Sequence, residues 1–150
     1  MATTTPTTPD RDLAARLRAA KLRVTSQRLI IHRVMRDLDR HVTAEEVAKR
    51  AARRLPGLSL PTVYSTLELL EGLGLLRRVP LSTGAVLWDP RLTEHHHAAC
   101  RDCGRLTDLE ASIDTAAGLR AARAEGFEPE RAEMVVVGRC ADCARSGKTT

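Results

Sequence analysis

The four cysteines of this 150-residue chain form two Cys-x-x-Cys pairs. One pair is Cys100 and Cys103, and the other is Cys140 and Cys143. Such a turn directs two thiolates at one centre, so two turns supply the four soft ligands of a closed, tetrahedral, structural zinc site. The long spacing between the pairs is explained by intervening secondary structure. Disulfides and a redox centre are the alternatives; the cytosol disfavours the first, and the second needs one pair at a helix start.

Three consecutive histidines, His95, His96 and His97, lie just before the first cysteine pair. In an extended segment alternate side chains share a face, so we expect His95 and His97 to point together and His96 to point away. Asp89 and Asp108 flank this cluster in the sequence, and carboxylate oxygens beside imidazole nitrogens suit Fe(II) or Mn(II). On residues alone, a solvated histidine-rich loop is an equal alternative to a metal site.

The first half of the chain must position any such site, and its patterns predict helices. Apolar residues recur at helical spacing over 10–20, 26–37, 44–53 and about 60–72. Thr25 and Thr43 are placed to cap the second and third helices, and Pro61 suits the first turn of the fourth. His32, alone in an apolar helix, is predicted to be a packed core residue.

Two short β-type runs follow the helices. They read LLRRV and AVLWD, and they flank a turn-rich loop at 80–84, which predicts a hairpin. Helices followed by a hairpin predict a winged helix-turn-helix domain, with another small α+β domain as the alternative.

The second half predicts a βαββ unit. Its segments are a strand at 106–110, a helix at 114–126, a short strand at 127–130 and a strand at 133–140. This unit has little core of its own and exposes strand edges, so we expect it to pair with a second copy as a homodimer. The fold class is therefore α+β, an N-terminal winged helix-turn-helix with a C-terminal α/β dimerisation domain.

Charge is concentrated in the first half. Residues 1–80 carry 15 Lys and Arg against 8 Asp and Glu, and residues 81–150 carry 9 against 11, which together give the formal +5. A basic N-terminal half favours binding to double-stranded DNA, although a general arginine bias explains it equally. No apolar run approaches the roughly 20 residues of a membrane span, and the N-terminus lacks an export pattern. We therefore expect a cytoplasmic protein with no membrane partner.

These observations divide the chain into three parts. We expect a disordered tail over 1–11, a winged-helix DNA-binding domain over 12–89, and a dimerisation and zinc-binding domain over 90–150.

Five segments in order resemble the ferric uptake regulator family. They are LRVTSQR at 22–28, HVTAEEV at 41–47, LSLPTVYSTL at 58–67, HHHAACRDCG at 95–104 and GRCADC at 138–143. The resemblance implies a homodimeric, metal-dependent transcriptional repressor that binds an inverted-repeat DNA operator and is not an enzyme. It also implies one structural zinc per chain, held by the four cysteines.

The resemblance further implies one regulatory Fe(II) or Mn(II) per chain. Its ligands would be His41, Asp89, His95, His97 and Asp108, with His41 included on the resemblance alone. At the position of Asp108, peroxide-sensing members carry Asp and iron-uptake members usually carry Glu. The chain is thus most similar to the peroxide-sensing branch, in which Fe(II)-catalysed oxidation of a ligand histidine, here His41 or His95, releases DNA.

Two other functions remain as alternatives. One is an iron-uptake regulator that senses Fe(II) without a peroxide response. The other, from a different class, is a Cys-x-x-Cys redox or metal-carrier protein with no role on DNA.

The expected DNA contacts come from position within the resembled fold. Tyr64, with Thr62 and Ser65, would face the major groove from the fourth helix, and the tyrosine ring can lie against thymine methyl groups. Ser65 occupies a place where members often carry Arg or Asn. Phosphate contacts are expected from four arginines: Arg23, Arg28, Arg77 and Arg78.

Overall fold

The computed structural model describes residues 8–80 and 86–147, which form two compact units. The N-terminal unit comprises residues 8–80 and 86–92, and the C-terminal unit comprises residues 93–147. Throughout these ranges, every helix is too short or too polar to cross a membrane.

The N-terminal unit contains four helices and a hairpin. The helices are α1 (Thr8–Ala19), α2 (Ser26–Leu38), α3 (Ala44–Ala51) and α4 (Leu60–Gly72), and the strands are β1 (Arg77–Pro80) and β2 (Val86–Asp89). The strands pair antiparallel, so the predicted winged helix-turn-helix is confirmed. The predicted loop between the strands lies, from residue 81 onward, outside the described residues.

Side-chain caps fix where three of these helices begin. The hydroxyls of Thr25, Thr43 and Ser59 each accept a hydrogen bond at 3.3 Å from a backbone N–H three residues later. Each cap satisfies one of the first-turn N–H groups that the helix itself leaves without an acceptor. The predicted caps of α2 and α3 are therefore confirmed.

The core of the N-terminal unit joins all four helices to the hairpin. Its members include the following residues, each at most 1 % exposed: Leu13, Leu17, Ile31, Met35, Val47, Val63, Leu67, Leu70 and Trp88. His32 is also buried, which confirms that it is a packed core residue, and this burial lowers the pKa of its imidazole.

The predicted disordered tail is wrong for residues 8–11, because α1 begins at Thr8. Asp10 is only 1 % exposed and accepts three hydrogen bonds from the Arg33 guanidinium, two from Nε at 2.9 and 3.0 Å and one from Nη2 at 2.6 Å. A partner on α2 thus orders a stretch whose Thr- and Pro-rich composition is typical of a tail. Residues 1–7 lie outside the described residues.

The Asp10 carboxylate is expected to stabilise the N-terminal unit strongly. Asp10→Asn should lower its free energy of unfolding by about 3 kcal/mol, because the substitution removes the charge that offsets a partly buried guanidinium. Urea unfolding followed by the fluorescence of Trp88, the chain's one tryptophan, measures the change. Asp12→Asn is the matched control: Asp12 pairs with Arg16 in solvent, so its cost should stay below about 1 kcal/mol. Equal costs for the two substitutions would contradict the prediction.

The C-terminal unit is built on a three-stranded sheet. Its elements are β3 (His96–Cys100), β4 (Leu106–Leu109), α5 (Ala116–Ala124), β5 (Val135–Gly138) and α6 (Ala141–Ser146). The strand order is β4-β3-β5, with β3 antiparallel to β4 and parallel to β5. The central strand thus carries the histidine cluster at one end and the first cysteine at the other.

The predicted βαββ arrangement needs correction. Residues 127–130 do not form a strand, since Pro129 has no N–H for a sheet ladder and the Phe127 side chain is 70 % exposed. Neither β3 nor α6 was among the predicted elements. The strands at 106–110 and 133–140 and the helix at 114–126 are confirmed, with shorter bounds.

Candidate metal centres and nucleic-acid interface

The four cysteines meet at one end of the C-terminal sheet. Cys100 ends β3, Cys103 lies in the following turn, and Cys140 and Cys143 begin and line α6. Gly104 closes the first turn at φ +71°, a left-handed conformation that glycine adopts without strain. The backbone N–H of Cys100 donates to the carbonyl of Arg105 at 2.8 Å, which completes the turn.

The geometry of this cluster fits zinc. All four Sγ atoms lie within 4.8 Å of one another, and those of Cys103 and Cys140 are 3.8 Å apart. A tetrahedral site with Zn–S bonds of about 2.3 Å requires sulfur separations of about 3.8 Å. The cysteines form no disulfide, so the sulfur spacing matches shared ligation and not a covalent pair.

Backbone hydrogen bonds favour the thiolate form of Cys100. The N–H groups of Cys140 and Cys103 donate to the Cys100 sulfur, the former at 3.3 Å, and lower the pKa of its thiol to about 6. The Cys143 thiol donates hydrogen bonds to the sulfurs of Cys140 and Cys103, and these bonds raise its pKa to about 12. Four sulfurs at this spacing cannot all carry charge without a cation, which is the role that a divalent metal fills.

In the N-terminal unit, His41 and Asp89 lie opposite each other. Val42 and Trp88 exchange two backbone hydrogen bonds, of 3.0 and 2.8 Å, and this bridge holds the loop before α3 against β2. Nε2 of His41 is consequently 3.4 Å from Oδ2 of Asp89, whose Oδ1 accepts from the N–H of Arg91 at 2.8 Å. Both side chains are nearly buried, so this nitrogen and oxygen form a ready pair of metal donors.

In the C-terminal unit, His95, His97 and Asp108 come together. His97 and Asp108 are cross-strand partners of β3 and β4, and the rings of His95 and His97 lie 4.6 Å apart, edge to face. The Thr93 carbonyl fixes the tautomer of His95. A carbonyl oxygen only accepts, so Nδ1 of His95 is the donor in this 2.7 Å hydrogen bond. Nε2 of His95 therefore presents its lone pair, 3.8 Å from Oδ1 of Asp108.

His96 turns to the other side of β3. Its Nδ1 accepts from the backbone N–H of Met134, beside β5, at 3.2 Å. The alternation predicted from an extended segment therefore holds. The Thr93 carbonyl, by contrast, is a backbone acceptor and has no residue-type signal in the sequence.

The exposed side of α4 carries the residues expected to meet DNA. Tyr64 is 38 % exposed, and Ser65 and Thr62 lie on the same first turns of the helix. The Tyr64 hydroxyl donates to Oε1 of Glu45 on α3 at 3.0 Å, a contact that sequence reasoning missed. This hydrogen bond helps lower the pKa of Glu45, after the bond from the glutamate's own backbone N–H, and it raises the pKa of Tyr64.

The four arginines expected at phosphates differ in their surroundings. Arg28 donates to the carbonyl of Arg23, and Arg77 donates to the carbonyl of Leu92. Arg78 instead pairs with Glu71 and Glu68, at 3.1 and 3.4 Å, and its guanidinium lies 4.8 Å from the centre of the Trp88 ring. The charge of Arg78 is thus compensated inside the N-terminal unit, where it braces the hairpin.

Comparison with known proteins identifies the family of this chain. Residues 19–137 match the model of the ferric uptake regulator family. The chain belongs to this family. As a family member it is a metal-responsive transcriptional regulator, which favours the regulator over the redox-protein and metal-carrier alternative.

Individual ferric uptake regulator family members agree with this assignment. The transcriptional regulator FurA of Mycobacterium tuberculosis is 32 % identical over 136 residues, 90 % of this chain and 92 % of that protein. The peroxide-responsive repressor PerR of Staphylococcus epidermidis is 27 % identical over 134 residues, 89 % of each. The structure of the Pseudomonas aeruginosa ferric uptake regulator with manganese is 28 % identical, with a TM-score of 0.67 over 85 % of this chain and 96 % of that one.

Proposed function

We propose that this chain is a homodimeric repressor that binds an inverted-repeat DNA operator when a regulatory Fe(II) or Mn(II) is bound, and that it senses peroxide. The observation that carries the peroxide assignment is Asp108, an aspartate facing His97 across the sheet and His95 beside it. Fe(II) held there would catalyse the transfer of one oxygen atom from hydrogen peroxide to the ring of a ligating histidine, with the other oxygen leaving as water. Loss of that ligand would weaken metal binding and release DNA.

The proposed ligand set combines both units. His41 and Asp89 offer one nitrogen and one oxygen, and His95, His97 and Asp108 offer two nitrogens and one oxygen. Neither set alone fills the coordination that Fe(II) or Mn(II) takes, whereas together they give a mixed nitrogen and oxygen environment suited to both metals.

The four-cysteine cluster has a separate, structural role in this proposal. One zinc per chain, held by Cys100, Cys103, Cys140 and Cys143, leaves no open coordination position for chemistry. Zinc there would consolidate a dimerisation unit whose α5 and β5 bury few apolar side chains.

We assign DNA contact to the exposed side of α4. Tyr64, Thr62 and Ser65 would face base edges in the major groove. Arg23, Arg28 and Arg77 would meet phosphates, and Arg78 would act indirectly by bracing the hairpin.

Iron sensing without a peroxide response is the second candidate function. It is favoured by the higher identity to FurA, 32 %, than to PerR, 27 %. One measurement distinguishes the two candidate functions. An operator duplex is selected from a random-sequence pool with the Mn(II)-loaded protein, and its binding to Fe(II)-loaded protein is then followed without oxygen, before and after one equivalent of hydrogen peroxide.

A peroxide sensor loses operator binding only in the Fe(II) form, and mass spectrometry finds one added oxygen on His41 or His95. Retained binding with both histidines unmodified would exclude the peroxide function and leave iron sensing. Selection of no DNA by a fully metal-loaded protein would exclude both.

Asp108→Glu is expected to keep metal-dependent operator binding and to slow the peroxide-induced loss of binding by at least about tenfold, the scale on which changes around a metal alter its reactivity. The longer side chain keeps the carboxylate but moves its oxygens relative to His95. Asp114→Glu makes the same substitution at the start of α5, where Asp114 accepts from the N–H of Ala116, and it should respond like the wild type. An unchanged response of Asp108→Glu would remove Asp108 as the determinant of peroxide sensing.

A further inference from the structure

Two ion pairs link the two Cys-x-x-Cys turns reciprocally. Asp102 lies inside the first turn and pairs with Arg139, which directly precedes the second. Asp142 lies inside the second turn and pairs with Arg105, which follows the first. Each turn therefore contributes one carboxylate from within itself and one arginine from its flank.

The first of these pairs is the more sheltered. Arg139 Nε lies 2.5 Å from Oδ2 of Asp102, and the two side chains are only 28 % and 12 % exposed. Arg139 also donates from Nη2 to the carbonyl of Cys143 at 3.0 Å, so one guanidinium binds both turns. The second pair, Arg105 Nη1 to Asp142 Oδ2 at 2.8 Å, is more than half exposed.

These contacts join the turns without using a sulfur atom. The Cys140 N–H, which donates to the Cys100 sulfur at 3.3 Å, also connects the turns, through the backbone of a cysteine. Arg139 and Arg105 are already paired with Asp102 and Asp142, so the four charges sum to zero and the ion pairs act on the site by positioning the turns. Charged groups around the ligands orient metal sites, and their loss commonly changes metal affinity by about 10- to 100-fold.

We propose that Asp102, Arg105, Arg139 and Asp142 form a double ion-pair clamp that positions the two cysteine turns and slows the release of zinc. A zinc ion leaves when one turn swings away from the other. The clamp holds the turn in place while a single sulfur dissociates, so that the sulfur rebinds. These four are positioning residues, and the inference rests on the zinc site proposed above.

The rate of zinc release tests the clamp. Full-length, zinc-loaded protein is mixed with an excess of a chromophoric chelator, and the first-order release rate is compared for wild type, Asp102→Asn, Arg139→Gln and the double variant. Each single substitution should speed release by about tenfold or more. The double variant should release no faster than the faster single variant, because two partners of one contact do not have additive effects.

Arg101→Gln is the matched control. Arg101 lies in the same turn, 3.7 Å from Asp102, but its side chain is 67 % exposed and spans no gap between the turns. Its loss removes a positive charge near the sulfurs and should change the release rate by less than about twofold, the scale of an exposed pair. The second readout is the rate at which iodoacetamide alkylates the thiols that zinc release exposes. This rate should be higher in the clamp variants and unchanged in the control.

The outcomes separate the two proposals. Wild-type protein that holds no zinc would overturn the zinc site itself. Wild-type protein that holds zinc, with Asp102→Asn or Arg139→Gln releasing it at the wild-type rate, would overturn only the clamp. Asp102→Asn keeps the shape of the side chain, so it supplies the test if Arg139→Gln does not fold. The clamp would also be overturned if the effects of the two substitutions were additive in the double variant, or if the Arg101→Gln control released zinc as fast as the clamp variants.

Discussion

Cys103→Ser is expected to abolish stoichiometric zinc binding and to unfold the C-terminal unit while the N-terminal unit stays native. Serine is a poor zinc ligand at neutral pH, and a structural site that loses one of four thiolates loses most of its affinity. Apparent zinc-binding free energies of about 10–16 kcal/mol in small zinc domains show how much stabilisation such a site contributes.

The apolar core of the C-terminal unit is too small to replace that contribution. Among its described residues, Ala99 and Cys100 are the buried apolar side chains, and the valines of β5 are 41–53 % exposed. The N-terminal unit has its own core, with Trp88 inside it. Loss of zinc should therefore expose the amides of β3 and β5 to hydrogen exchange and leave the tryptophan emission unchanged.

Zinc content by mass spectrometry and hydrogen exchange by unit measure this result. Arg101→Gln, in the same turn but without a ligand atom, should keep full zinc and full protection. A Cys103→Ser protein without zinc that keeps the slow exchange of β3 and its dimeric state would show that the sheet is stable without metal.

Much of the N-terminal unit could be predicted because its signals are local. Thr25 and Thr43 cap helices through bonds to residues three positions away, and the apolar stripe of Val63, Leu67 and Leu70 follows the helical period. Each of these features depends on neighbours in the sequence. Short-range patterns therefore predicted the positions of four helices and a hairpin.

The errors arose where distant partners decide the structure. Residues 8–11 are helical because Asp10 finds Arg33 on another helix, and no tail composition reports that pairing. The strand β3 reads HHAAC, without β-branched residues, and it forms because β4 and β5 flank it. The FEPE segment looks like a strand by its first residue, but Pro129 has no N–H to donate to a sheet ladder, and Phe127 stays 70 % exposed.

The two candidate metal centres were predictable to different extents. Cysteine type and spacing predicted the sulfur cluster, and the alternation of an extended chain predicted which histidines share a face. The supporting contacts were not predictable: the Thr93 carbonyl that orients His95, and the Arg139 guanidinium that joins both cysteine turns, lie outside any motif. Orientation of ligands depends on tertiary contacts, which residue types alone do not report.

The second large expected effect is on metal binding and comes from His95, which the Thr93 carbonyl orients. His95→Gln should weaken Mn(II) binding by at least about 100-fold, because loss of a ligand exceeds the 10- to 100-fold effect of losing an outer contact. The Thr93 carbonyl fixes the proton on Nδ1 and leaves Nε2 to coordinate, and a glutamine amide does not supply an equivalent nitrogen. If the regulatory site controls DNA affinity, operator binding by this variant should no longer respond to Mn(II).

His96→Gln is the control for this experiment, because it makes the same substitution one residue away on the opposite side of β3. The glutamine carbonyl can still accept from the Met134 N–H, so the strand should keep its pairing with β5. Mn(II) affinity should then change by less than about threefold, since no ligand or outer contact of the site is lost. Calorimetric titration of zinc-loaded protein with Mn(II) measures both variants without relying on DNA. Equal losses at His95 and His96 would mean that the substitutions disturb the strand, whereas wild-type affinity in His95→Gln would remove His95 from the regulatory site and leave Fe(II) or Mn(II) to be held elsewhere.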